Sequence, residues 1–350
     1  MTRNASRGSA LVIVPAFFGY EKDIVAEFKR QGYETTFFDE RPSDSALARA
    51  VLRFRKGFIA RLIQKYYLEK WSELQNSQFD IVFVVKAEAI PRWFLENLRR
   101  VNPGARFVFY AWDALRNEKN CLGVLDCFDE LFSFDSEDAT THENFTYLPL
   151  FYTKEFEALD AEQTSRPRRY QLSFVGTLHT DRYGFVKRLF AGRSGTFSFF
   201  HVQARWYFVV AKYLTREHSA ATWSDVSFHK LSRVRVAEIF RDSVAVIDIP
   251  RRGQTGLTIR TFEVLASGSV LVTTNPAISR EPFFDPRRIV VLPTDLDEQR
   301  TKVALAQLDA ITPPAGPPDS FDRYSLKSWV RTIVGGAGES GATRSSPPFF

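Results

Sequence analysis

The sequence predicts an α/β protein made of two Rossmann-like domains with a ligand cleft between them. Three observations lead there. Between residues 10 and 150, short runs rich in Val, Ile and Phe alternate with stretches of helical periodicity. The alternation stops in a polar, proline-containing stretch, Asp160 to Arg169, and then restarts. Residues 254–275 join a glycine-bearing loop, an amphipathic helix with a carboxylate on its buried side, a helix-ending glycine and a β-branched strand. A βαβα series implies a parallel, doubly wound sheet, because parallel neighbours need a crossover and the helix supplies it. Ligands of such sheets bind beyond the C-terminal ends of the strands.

In the first half, Ala10 to Phe18 reads as a strand. Glu21 to Gln31 follows as a helix, with apolar residues at 24, 25 and 28 and an end at Gly32. Tyr33 to Phe38 reads as a strand, Ala46 to Leu74 as a long helical region, and Phe79 to Val85 as an apolar strand. Pro91 opens a helix that closes at Asn102-Pro103-Gly104. Phe107 to Tyr110, Leu131 to Phe134 and Tyr147 to Leu150 complete the strands. In the second half come Leu172 to Val175, a helix, Thr196 to His201, a helix-rich insert, Val244 to Ile249, a helix around Glu263, and Val270 to Thr274. Tyr324 to Val334 reads as a last helix. The expected division is a flexible N-terminus at 1–9, a first domain at 10–159, a linker at 160–169, a second domain at 170–334 and a disordered tail at 335–350, rich in Gly, Ser and Pro.

With 350 residues, 44% hydrophobic and 25% charged, the chain is large enough for two cores. Phe is abundant at 33 residues and Met nearly absent at one, which predicts rigid, aromatic-rich interiors. Only Cys121 and Cys127 occur, six apart in a stretch that reads as helical and so on different faces. Two cysteines do not complete a tetrahedral zinc site, and as reduced thiols they suit a cytosolic protein. No metal and no cofactor are expected. No secretory signal is visible, since the first apolar run is short and contains Pro15. No run reaches the roughly 20 apolar residues of a spanning helix. The chain is therefore expected to be cytoplasmic, either soluble or peripheral at the inner face of the plasma membrane.

The candidate site starts at Gly256 and Leu257. The helix after this loop presents first-turn N–H groups and a partial positive charge to an anion such as a diphosphate. Glu263 falls in the second turn, where a carboxylate can accept hydrogen bonds from two vicinal ribose hydroxyls. Gly268 stops the helix in a left-handed conformation. Arg260, three residues before Glu263, serves either phosphate or an intrahelical ion pair with Glu263. In the second domain, Gly176 and Thr177 directly follow the first strand, at a point where a backbone can approach a ligand closely. His179 either hydrogen-bonds a phosphate or is an exposed loop residue. Arg182 either grips a diphosphate through its planar fork or pairs with Asp181. Asp248 either orients the signature loop or satisfies backbone donors nearby.

The segment resembles the donor-binding signature of glycosyltransferases with the two-domain GT-B fold, with Gly256, Arg260, Glu263 and Gly268 on the pattern. Further stretches, PAFFGYEKDI, VVKAEAIP, YAWDALRNEKN, LFSFDSEDA, PLFY and SFVGTLHTDRY, are similar to bacterial lipopolysaccharide or capsule glycosyltransferases of the spore-maturation-protein-like group. Together they cover roughly residues 10 to 332. The resemblance implies that Glu263 binds the nucleotide ribose, that a basic residue in the Arg182 loop meets the diphosphate, and that the last helix crosses back to the first domain. It implies a nucleotide-sugar donor, a saccharide or lipid-linked acceptor held by the first domain, and no need for metal. Many retaining members carry a second acid eight positions before the glutamate, where this chain has Thr255.

In the first domain, Gly19 lies in a turn into a helix that can face the reacting sugar and the diphosphate. Lys86 and Glu88 follow the third strand and Asp113 the fourth. Asp113 and Glu88 are the candidates for the base that takes the acceptor proton. Each has a second reading, Asp113 as the cap of the next helix and Glu88 as a partner of Lys86.

The net charge of +6 is uneven. Ala46 to Leu68 carries six Lys or Arg and no acid, and Arg182 to Arg216 carries seven and no acid. Both stretches interleave bases with aromatics, which suits an anionic lipid surface, or else describes solvated helices whose apolar faces are core. Single-stranded nucleic acid would also fit this interleaving. No nucleic-acid motif is present, the charge elsewhere is nearly even, and nucleic acid is not expected as a partner.

Overall fold

The computed structural model describes residues 7–42, 56–158, 167–250, 254–311 and 316–335. The chain forms two compact units, one of residues 1–150 with 326–350, the other of residues 151–325. Residues 160–166 of the expected linker lie outside the described residues, as do the tail beyond 335 and residues 46–55 of the first basic stretch.

The first unit holds a six-stranded parallel sheet in the order β2-β1-β3-β4-β5-β6. Its strands are β1 (Gly8–Ile13), β2 (Tyr33–Phe38), β3 (Ile81–Val85), β4 (Arg106–Ala111), β5 (Glu130–Ser133) and β6 (Phe145–Tyr147). The helices between them are α1 (Tyr20–Arg30), α2 (Lys56–Leu74), α3 (Arg92–Val101) and α4 (Ser136–Thr141). β3 is buried throughout, as a strand covered on both faces must be. On one face Leu11, Ile13, Val82 and Val84 pack with Tyr67 of α2 and Phe94 of α3, whose rings lie 4.9 Å apart. On the other, Phe83 meets Phe28 of α1 at 5.7 Å and Trp329 at 5.7 Å. Trp329 belongs to α10 (Leu326–Gly335), so the last helix of the chain completes the first unit's core.

The second unit repeats the architecture with the order β12-β11-β10-β7-β8-β9, again all parallel. The strands are β7 (Tyr170–Thr177), β8 (Thr196–His201), β9 (Val226–Ser227), β10 (Ser243–Asp248), β11 (Val270–Thr273) and β12 (Ile289–Val291). Its helices are α5 (Thr180–Phe190), α6 (Arg205–Val209), α7 (Arg233–Arg241), α8 (Ile259–Ala266) and α9 (Glu298–Asp309). Tyr152 bridges Ser325, and its N–H donates to the Tyr324 carbonyl at 3.0 Å, so the two ends of this unit lie side by side. The described part of the expected linker is tied down here as well. The Arg168 guanidinium donates to the carbonyls of Ser243 (2.6 Å) and Gly268 (2.9 Å) and to the Ser269 hydroxyl (2.7 Å).

Several expected boundaries move. β1 ends at Ile13 rather than Phe18, because Pro15 cannot donate to a ladder. The last strand of the first unit is Phe145–Tyr147 rather than 147–150. The cysteine stretch winds as a short 3₁₀ turn, Cys121–Cys127, and both thiols are free. β7 runs two residues further than expected, which places Gly176 inside the strand and not after it.

Candidate functional site

In the second unit the strand order reverses between β7 and β10. The chain leaves β7 toward β8 and β9, then returns on the other side through β10, β11 and β12. Such a switch point splays the connections on its two sides and opens a crevice at the strand C-terminal ends. The residues that follow β7 and β10 are those of the predicted donor site.

The signature loop and helix are anchored from three sides. Asp248, last in β10 and 7% exposed, accepts hydrogen bonds from the hydroxyls of Thr258 (2.5 Å) and Thr261 (3.4 Å). It thus fixes the start of α8 through side chains, where the sequence left open a purely local backbone role. Thr258 is the N-cap and accepts from Thr261 N–H at 3.4 Å. From the end of β11, the Asn275 amide donates to the carbonyls of Thr255 (3.0 Å) and Gly256 (3.4 Å). Behind α8, buried Phe262 packs on Phe283 (5.9 Å) and Tyr324 (5.5 Å). The helix ends as expected: Gly268 adopts φ +75°, and Ser269 N–H reaches back to the Val264 carbonyl at 3.3 Å. A side chain there would also press on the Gly316 backbone, 3.3 Å from the position of a Cβ.

Glu263 is held at 2% exposure in the second turn of α8, and Leu257 at 3% in the loop. Gly256 is buried beside it. Arg260 is part-exposed, and its guanidinium stands over the Phe240 ring, 5.5 Å from its centroid, a cation–π placement. Across the switch point, Gly176 and Thr177 pair with Phe200 and His201 of β8. A Cβ on Gly176 would lie 2.7 Å from the Phe174 ring, so this glycine is required by packing within the strand. His179 is exposed at the N-cap of α5 without a side-chain capping bond, and Arg182 is part-exposed in the first turn. The Asp181 side chain, the alternative partner of Arg182, lies outside the described residues. Gly176, Thr177, His179 and Arg182 thus end or follow β7, and Gly256, Leu257, Arg260 and Glu263 follow β10, its neighbour at the switch point.

In the first unit the order reverses between β1 and β3, and both connections there are unusual. After β1, Phe18 and Gly19 take φ 52° and 85°; after β3, Lys86 and Ala87 take φ 76° and 50°. A non-glycine residue in this region costs about 1–2 kcal/mol, so the turns persist only because neighbours fix them. Glu21 accepts from Phe17 N–H at 3.0 Å and Asp39 from Ala16 N–H at 3.0 Å. Glu40, fully buried, accepts from Ala89 N–H at 2.6 Å. Its other oxygen has no hydrogen-bond partner among the described residues. Burial, with Glu88 adding to it, pushes the Glu40 carboxyl up to about 7.

Glu88 and Asp113 follow β3 and β4 as expected, but the second reading of each is not what the structure shows. Asp113 does not cap the next turn, whose N-cap is Ala114. It forms an ion pair with Lys86 at 2.7 Å instead. Glu88 is exposed, and the partners of Lys86 are Asp113 and Glu118. Glu118 was missed from sequence. Its burial raises its carboxyl against the pull of Lys86, and one oxygen is buried without a partner among the described residues. Burial works to lower the Lys86 ammonium, but the two carboxylates outweigh it and hold Lys86 above its ordinary range. Beside this cluster Trp112 meets Phe17 at 6.4 Å and Tyr20 at 6.2 Å, with Phe17 and Phe18 about half exposed. An apolar ring surface next to paired charges is suited to the two faces of a sugar ring. No group of three or more His, Cys, Asp or Glu among the described residues is arranged to hold a metal ion.

With this geometry established, comparisons with known proteins decide the architecture. A trehalose-phosphate synthase from Burkholderia xenovorans, solved with glucose-6-phosphate, superposes over 94% of this chain and 99% of its own, with TM-score 0.60 and 16% identity. The fold is GT-B. HepE from Anabaena, solved with UDP and glucose, shares this GT-B arrangement over 94% of this chain and 99% of its own, with TM-score 0.57 and 11% identity. OtsA in its apo form covers 93% and 98%, with TM-score 0.61 and 14% identity. Residues 201–311, which contain β10, α8 and Glu263, match a family described as glycosyl transferase-like. No curated protein sequence matches the chain significantly.

Proposed function

We propose that this protein is a glycosyltransferase that moves a sugar from a nucleotide-diphosphate donor to a saccharide or lipid-linked acceptor in the assembly of cell-surface polysaccharide such as lipopolysaccharide or capsule. The observation that carries the proposal is Glu263. A buried carboxylate is expensive to maintain, yet here the Asp248–Thr258 clamp and the Asn275 tether hold it in the second turn of a helix that begins at the switch-point crevice. The family match over residues 201–311 and the UDP and glucose bound to HepE support the same reading.

In this mechanism Glu263 accepts the two ribose hydroxyls. The first-turn N–H groups of α8, Arg260 and Arg182 neutralise the diphosphate as it leaves. No metal is assigned to that task. In the first unit, Asp113 and Glu88 were the expected bases. Asp113 is ion-paired with Lys86, whereas Glu88 is exposed to solvent. Thr255 in place of a sugar-contacting acid favours a second reading, a donor-binding scaffold of the same fold without transfer activity.

The test is thermal unfolding of the purified protein with a panel of nucleotides and nucleotide sugars, with and without a chelator. A ligand that binds only the folded state raises the melting temperature. One nucleotide-diphosphate family should stabilise the protein whether or not chelator is present. Glu263→Ala should lower that affinity about 10- to 100-fold, the size of one or two charge-assisted hydrogen bonds, with the unliganded melting temperature preserved. A stabilisation unchanged in Glu263→Ala would sink the role of this residue. Binding without sugar transfer or donor hydrolysis would decide for the scaffold.

A further inference from the structure

The segment after β8 carries an apolar surface that the fold does not use. α6 continues into a π-helical turn, Val210–Leu214, closed by Thr215 N–H donating to the Val210 carbonyl at 3.1 Å. The inward side is complete. Phe208 is fully buried against Trp223 (4.9 Å) and Phe228 (6.1 Å), and Ala211 is buried three residues on. The outward side is apolar as well, with Trp206 70%, Tyr213 59% and Leu214 73% exposed, and Val209 and Val210 exposed between them. Spacings of three and four residues put these side chains in one stripe. A short helix that is apolar on both sides belongs in an interior or against another apolar phase.

Within the element itself the charge has one sign, and exposed Glu217 follows directly after it. Arg205, Lys212 and Arg216 flank it, and the chain has no acid from Arg182 to Arg216. Lys212 donates to the carbonyls of Ser219 (3.1 Å) and Ala221 and stands 5.7 Å from the Tyr213 ring, so this ammonium is fixed at the edge of the stripe. Arg205 stands 5.6 Å from the Phe228 ring. Trp and Tyr beside bases suit the boundary between lipid headgroups and acyl chains, where amphipathic rings settle. No helix among the described residues is long and apolar enough to cross a membrane, so attachment here is interfacial.

We propose that residues 205–216 form a membrane-docking element that inserts Trp206, Tyr213 and Leu214 into an anionic lipid surface while Arg205, Lys212 and Arg216 meet its headgroups. The element shares no residue with the proposed donor site, so vesicle binding and nucleotide binding succeed or fail separately. The experiment is co-sedimentation of the full chain with phosphatidylcholine vesicles, alone or containing phosphatidylglycerol. The native protein should sediment with the anionic vesicles and much less with the neutral ones. Trp206→Glu with Leu214→Glu should reduce partitioning by at least about tenfold, and Arg205→Glu with Arg216→Glu should weaken it on anionic vesicles and restore salt insensitivity. All four positions are exposed, and an unchanged melting temperature verifies folding. No sedimentation of the native protein, equal sedimentation of the Trp206/Leu214 variant, or equal binding to neutral vesicles would each overturn the proposal. So would a native dimer in vesicle-free solution that the Trp206/Leu214 variant splits, which would assign the stripe to a second copy.

Discussion

Glu40 is a buried acid whose proton has a measurable consequence. Its folded-state pKa of about 7 lies above the ordinary carboxylate value of 4.5. Below pH 4.5 both folded and unfolded chains hold the proton, and Glu40 adds no pH dependence. Between 4.5 and 7 the unfolded chain has released it while the folded chain retains it, so stability falls as pH rises and levels off above 7. The span corresponds to about 3 kcal/mol at most. Glu40→Gln keeps an acceptor for Ala89 N–H and removes the titration. Urea unfolding at pH 5 and pH 8 should show the wild type losing stability relative to this variant at the higher pH. Parallel stability profiles would disprove the assignment. Neither this residue nor Glu118 was legible before the fold was known. Both lie in irregular stretches just past strand ends, where periodicity carries no information and only the folded turn determines what is buried.

At the scale of elements, α8 illustrates what could and could not be read in advance. Its extent, its end at Gly268 and the burial of Glu263 follow from the pattern of apolar residues and the glycine that breaks it. Of the residues that hold it in place, Asp248 was one of two readings and Asn275 was not read at all, because each reaches the helix from a different strand. Their shared signal is position: each is a polar residue at the C-terminal end of an apolar run. Asp248→Ala would leave the Thr258 and Thr261 hydroxyls without this partner at the start of the helix. It should cost about 1–3 kcal/mol in urea unfolding and weaken nucleotide binding in parallel. Asp248→Asn, which keeps one acceptor, should lose less of both. Loss of stability with full retention of nucleotide affinity would separate the clamp from the site. At Gly176, read from the sequence as a point where a ligand can approach the backbone, the structure adds a packing reason for the glycine, since a Cβ there would lie 2.7 Å from the Phe174 ring.

For the whole molecule, two parallel sheets were legible because strand and helix alternate twice with a polar stretch between. Membership of the last helix was not written in its own residues; it was implied by resemblance, and the packing of Trp329 between Phe83 and Tyr110 gives the physical reason. Trp329, Val330 and Ile333 are buried almost completely, and each such side chain contributes about 1.5–3 kcal/mol. A fragment of residues 1–150 should therefore lack a cooperative unfolding transition, whereas residues 151–325 should show one by far-UV circular dichroism and urea. A cooperative 1–150 fragment would show that α10 is dispensable to the first core.

The discontinuity of the first unit also sets an order of events during synthesis. The ribosome delivers all of residues 151–325 before it delivers α10, so the second sheet can close while the first still lacks a wall. Until residues 326–335 emerge, Phe83 and Tyr110 face an unfilled groove, an apolar surface of the kind chaperones hold. The unit made first is thus finished last, and a nascent chain stalled near residue 325 would present a completed second unit attached to an unfinished first one.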